Sequence, residues 1–111
     1  PDNADISVDY DFWIYGPNED CSSLTSPIRC STTNPIAAGQ TNNHTGMGSV
    51  SSEAFEGPGA DGDSYVEWIN VLSGESYYIV VDRPVGNGGF ELNWTGSAAQ
   101  GTGAHRASEY L

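Results

Sequence analysis

Residues 9–17 read Asp9-Tyr10-Asp11-Phe12-Trp13-Ile14-Tyr15-Gly16-Pro17, and the fold class follows from them. Carboxylates alternate with large apolar residues until Gly-Pro stops the run. In a strand, alternation puts Tyr10, Phe12 and Ile14 on one face and Asp9, Asp11, Trp13 and Tyr15 on the other. Two carboxylates two residues apart on one strand face repel each other. A bound cation or a set of backbone donors would relieve that repulsion.

Working outward, the first strand is expected over residues 6–15. Residues 16–48 are punctuated by Gly-Pro, Asn-Pro, Asn-Asn and Gly-x-Gly, with room for one short strand at 28–31. A weak strand is expected at 50–55, and 56–63 is a loop by its turn chemistry. Residues 65–72 and 76–82 read as strands joined by a tight hairpin turn at Ser73-Gly74. Arg83-Pro84 ends the second of them, because Pro cannot donate to a ladder. The last clear strand is expected at 90–95, with Phe90, Leu92 and Trp94 inward and Glu91, Asn93 and Thr95 outward. Residues 96–111 lose the pattern and suit a short helix, a strand or a tail. No helix of normal length is supported. Five or six strands between Gly/Pro-rich loops predict an all-β, antiparallel, jelly-roll-like β-sandwich, one module over 1–96 and an arm over 97–111.

The 111-residue length suits one domain, and 11% aromatic residues supply a core despite only 37% hydrophobic content. The formal net charge is −12, from 15 acidic and three basic residues. The three, Arg29, Arg83 and Arg106, are dispersed, so neither phosphate backbones nor anionic membrane surfaces suit this chain. No apolar stretch approaches the ~18 residues of a membrane span. No signal peptide is present, and a chain beginning at Pro1 reads as a mature product or an excised piece. Cys21 and Cys30 enclose a short Ser/Pro-rich segment and read as one local disulfide, the alternative being two free buried thiols. Closing that ring would contribute roughly 2.5–3 kcal/mol.

Several stretches together carry a resemblance: 9–17 (DYDFWIYGP), 20–35 (DCSSLTSPIRCSTTNP), 44–47 (HTGM), 56–63 (EGPGADGD), 72–82 (LSGESYYIVVD) and 89–96 (GFELNWTG). They resemble a β-sandwich module of secreted Bacteroidetes proteins, found in large surface proteins exported by the type IX secretion system. The module is similar in outline to the bacterial pre-peptidase C-terminal domain. The resemblance implies a non-catalytic extracellular module with a structural or adhesive role at a bacterial surface. It implies further strands before the Asp-x-Asp strand, where this chain has eight residues. A sandwich without them would expose a cleft lined by some of Phe12, Ile14, Tyr77, Ile79 and Val81. A neighbouring chain's arm would fill it, either 1–8 with Ile6 and Val8 or 97–111 with Tyr110 and Leu111, forming a filament.

Among chemical candidates, calcium leads. Asp9 and Asp11 on the strand, with Glu56, Asp61 and Asp63 in the glycine-rich loop, offer the several oxygens a hard cation wants. The alternative is a simple Asp61-Gly62 turn and an Asp11 that accepts backbone N–H bonds. Trp13 and Tyr15 form a candidate platform for stacking sugar rings, unless they pack a second sheet. His44 and His105 are the only histidines, and no Gly-x-Ser-x-Gly elbow accompanies them. Asn43 and Asn93 each begin an Asn-x-Thr acceptor, but Asn93 falls in an expected strand. The expected partners are therefore other surface chains, copies of itself, or glycan.

Overall fold

A computed structural model of the chain describes residues 5–48, 51–59 and 61–96. Its strands are β1 (Asp9–Tyr15), β2 (Arg29–Ser31), β3 (Gly46–Gly48), β4 (Phe55–Glu56), β5 (Tyr65–Glu67) and β6 (Tyr78–Val85). The only helical element among the described residues is a 3-10 turn, Cys21–Ser23. The fold is all-β and sandwich-like. A four-stranded sheet in the order β4-β2-β1-β6 faces a two-stranded sheet, β3-β5.

The opening run forms β1, at the centre of the larger sheet. Its alternation sets the layers: Tyr10, Phe12 and Ile14 are buried on the inner face. Phe12 and Ile14 pack with Val66 of β5, and Ile28, Ile69, Tyr77, Ile79 and Val81 close around them. Burying a side chain of this kind contributes about 1.5–3 kcal/mol, so this small cluster is the main cohesive element. β1 pairs antiparallel with β2 and with β6, Ile14 lying opposite Arg29 on one side and Ile79 on the other.

Three expectations change here. First, the sheets are mixed: β2 and β4 run parallel, and so do β3 and β5. Both parallel pairs are joined by long connections, as parallel strands require. Second, the Ser73-Gly74 turn exists, with Glu75 N donating to Leu72 O at 3.1 Å, but it closes no hairpin. β5 ends at Glu67 and belongs to the smaller sheet, so the chain crosses between layers before β6 begins. Third, residues 90–95 form no ladder. β3, Gly-Met-Gly, lies in the stretch expected to be turns. The 50–55 strand shrinks to Phe55–Glu56, and positions 49–50 lie outside the described residues.

Candidate functional site: a groove between the sheets

The smaller sheet covers only part of the inner face of the larger one. A groove of about 390 Å³ opens beside it. Phe12, Ile14, Ile79 and Val81 form its floor, as expected for the cleft, whereas Tyr77 lies elsewhere. Met47 of β3 and Tyr65 of β5 line it from the smaller sheet, and Phe90, Leu92 and Trp94 from the C-terminal segment. Glu91, Asn93 and Thr95 line the groove as well, so the expected inward–outward alternation does not divide the segment there, and it joins no sheet. The segment is anchored at its start: Tyr10 meets Phe90 edge-on with ring centroids 5.9 Å apart, and its hydroxyl donates to Gly89 O at 2.5 Å. Beyond that anchor the backbone of 90–95 makes no backbone hydrogen bond among the described residues. Phe90 and Trp94 remain 43% and 41% exposed. Exposed aromatic surface gathered on one groove marks an interaction site rather than scattered surface apolarity.

The groove borders β6, which among the described residues pairs only with β1. Its second half, Asp82-Arg83-Pro84, carries the charges and the proline that blunt an edge against foreign strands. Its first half, Tyr78-Ile79-Val80-Val81, carries neither.

The carboxylates expected to share a cation fall into separate groups. Asp9 and Asp11 lie on the outer face with Asp82, which stands opposite Asp11. One oxygen of Asp9 accepts from Asn34 Nδ2 at 3.2 Å; its other oxygen and one oxygen of Asp11 are buried without partners. Burial, then the charges of Asp9 and Asp82, push the Asp11 carboxyl up to about 6. Burial also raises Asp9, against the Asn34 hydrogen bond. Glu56 lies on the inner face, opposite Ser31. Burial, a hydrogen bond with the Glu53 carboxyl and the charges of Asp63 and Glu53 raise it to about 7. Asp63 accepts from Tyr65 N at 2.9 Å, and Asp61 sits exposed in the Gly59–Gly62 turn. Among the described residues no group of three or more His, Cys, Asp or Glu is placed to hold a metal. The five residues thus do not gather in one place, because the sheet itself separates Asp9 and Asp11 from Glu56.

The expected disulfide is corrected as well: Cys21 and Cys30 are both free thiols. Cys30 is fixed in β2 between Trp13 of β1 and Phe55 of β4. Cys21 lies exposed in a turn that Asp20 pins by accepting from Ser22 N and Oγ at 3.0 and 2.9 Å. Burial and the Asp11 carboxylate push the Cys30 thiol up, which keeps it protonated and slow to oxidise.

Trp13 and Tyr15 do share the outer face, and the register extends their row. Phe55, Cys30, Trp13 and Val80 stand side by side across four strands, with Tyr15 beside Tyr78. Sequence reading missed Phe55 and Tyr78 because only strand pairing brings them to this face. It missed Met47 in the groove because Gly-Met-Gly is too short to show a period, and Tyr65 because the strand read over 65–72 did not reveal that it pairs with β3. Of the two acceptor asparagines, Asn43 is buried and its Nδ2 donates to Val8 O at 2.9 Å, whereas Asn93 is exposed. Among the described residues no helix is long and apolar enough to cross a membrane. No family model, curated protein or solved structure matches the chain.

Proposed function

We propose that this chain is a non-catalytic extracellular β-sandwich module with a structural or adhesive role at a bacterial surface, and that the groove is where it grips another protein. The observation that carries the reading is an apolar groove with an aromatic wall that joins no ladder among the described residues, beside a stretch of β6 that carries neither charge nor proline. The resemblance to secreted surface modules supports the setting. The test is adhesion. Cells displaying the intact chain are compared with cells displaying a Leu92→Ser/Trp94→Ser chain, which changes the groove wall without touching a ladder. Loss of cell–cell or cell–surface attachment is expected in the variant. Equal attachment would overturn the groove as the contact surface.

A second reading has its own observation. The outer-face aromatics Phe55, Trp13, Tyr15 and Tyr78 are partly exposed, and aromatic faces of this kind stack on sugar rings. Under that reading Trp13→Ala and Tyr78→Ala weaken retention on immobilised polysaccharide while Leu92→Ser does not. The filament reading fills the groove with the arm of a neighbouring copy. It predicts that deletion of 97–111 or of 1–8 reduces particle size in light scattering. Residues 1–4 and 97–111 lie outside the described residues.

A further inference from the structure

We propose that the groove receives an extended strand from a different polypeptide, with apolar residues at alternate positions and Lys or Arg between them. This rests on the reading of the groove as the contact surface and specifies what enters it.

The argument starts from the imbalance of the two layers. One sheet has four strands and the other has two, each of three residues. The inner face of the larger sheet is apolar at Phe12, Ile14, Ile79 and Val81, yet among the described residues Val66 is the only fully buried apolar residue that the smaller sheet sets against it. On the far side of the gap runs 90–95, with a strand's alternation and no ladder. A small apolar molecule would fill the volume and leave those backbone donors and acceptors to water. A strand would fill the volume with alternate side chains and pair with backbone at the same time, which is how sheet edges recognise peptides.

Charge then selects the strand. Glu91 lines the groove, and β1 borders it at Asp11, whose carboxyl stands on the outer face beside Asp82 of the edge strand; no Lys or Arg lines it. The whole chain stands at −12. A second copy would bring the same charge, and its arms are poor strands. Residues 97–111 are rich in Gly, Ala and Ser, and 1–8 carry Asp2 and Asp5. Within 1–8, Val8 is already buried in its own chain. Opposite charge also speeds encounter and rejects wrong partners.

Two synthetic peptides of about ten residues, a usual strand length, test the proposal: Val alternating with Lys, and Val alternating with Glu. Binding is followed by fluorescence anisotropy at about 0.15 M salt, where exposed charges beyond ~8 Å are screened. The Lys peptide should bind saturably to the intact chain and about tenfold more weakly to Leu92→Ser/Trp94→Ser, a step of about 1.4 kcal/mol. Met47→Ser, on the opposite wall, should weaken it too, and thermal melts confirm that each variant is folded. The Glu peptide should not bind. Equal binding of the Lys peptide to intact and variant chains would reduce the effect to net charge and overturn the proposal. So would equal binding of both peptides, or self-association of the intact chain that the groove variants abolish, since the occupant would then be a second copy. If the variants lose adhesion but bind neither peptide differently, the contact surface stands and the strand falls. If adhesion is unchanged while the Lys peptide discriminates, the reverse holds.

Discussion

A carboxyl crowded on a strand face keeps its proton longer than one in water, and Asp11 and Glu56 are both held that way. Their folded values, about 6 and about 7, lie above those of the unfolded chain. The folded protein therefore binds more protons between about pH 4 and 7, and stability must fall as pH rises through that window. Asp5 and Asp20 are shifted downward by local hydrogen bonds, but both are fully exposed and act only below about pH 4. Urea midpoints should be higher at about pH 4.5 than at pH 8, and Asp11→Asn should flatten the profile. A midpoint that climbs steadily from pH 4.5 to 8 would show that neither carboxyl is held up. Glycine is equally local. A Cβ at Gly16 (φ +140°) would lie 2.7 Å from Tyr77 Cδ1 and 2.9 Å from Ser76 O, whereas at Gly74 (φ +89°) it would meet nothing. Gly16→Ala should cost about 1–3 kcal/mol and Gly74→Ala about 1–2. Chemical denaturation that ranks the pair in the opposite order would refute the close packing of Tyr77 on the β1 turn.

At the scale of elements, one side chain joins the layers. Arg29 of β2 donates from Nε to Glu67 O at 2.7 Å and from an Nη to Trp68 O at 3.1 Å, so β5 ends against the larger sheet. The accompanying ion pair with the Glu67 carboxylate is 3.5 Å long and half open to solvent, so the carbonyl bonds dominate. The guanidinium fork reaches both carbonyls at once and an ammonium cannot. Arg29→Lys should lose about 1–2 kcal/mol and speed amide exchange at 67–69; unchanged exchange there would mean that β5 is held by Val66 alone. The latch was invisible beforehand, since nothing near Arg29 in sequence names its partner. β1 was legible because a long alternating run buries one face whatever its neighbours do. β3 was not, because Gly-Met-Gly has no pattern and forms a strand only through β5. The 90–95 segment shows the converse: it alternates in sequence, but alternation supplies neither a pairing partner nor a division of faces, and all six residues line the groove. The acidic residues show the same limit. Their number was plain, whereas which side of the sheet each occupies depended on register, which put Glu56 inside and Asp9 and Asp11 outside.

Across the whole molecule, a small apolar cluster works against a large excess of one charge. Among the described residues five hydrophobic side chains are buried, and a chain at −12 repels itself in the compact state. The carboxylate groups on the two sides of the larger sheet lie within reach of that common field, so screening should relieve both. Raising the ionic strength from about 0.01 to 1 M shortens the screening length from ~30 to ~3 Å, and the melting temperature should rise with it. Calcium is the sharper probe. With Asp9 and Asp11 on one side of the sheet and Glu56 on the other, no described group of three acidic, His or Cys residues is placed to grip an ion. Calcium chloride should therefore raise the melting temperature no more than sodium chloride of equal ionic strength. An excess of several degrees specific to calcium, lost in Asp11→Asn, would mean that oxygens around the outer-face carboxylates converge on an ion. The repulsion that Asp9, Asp11 and Asp82 store would then be relieved by binding rather than by the proton that the raised Asp11 value implies.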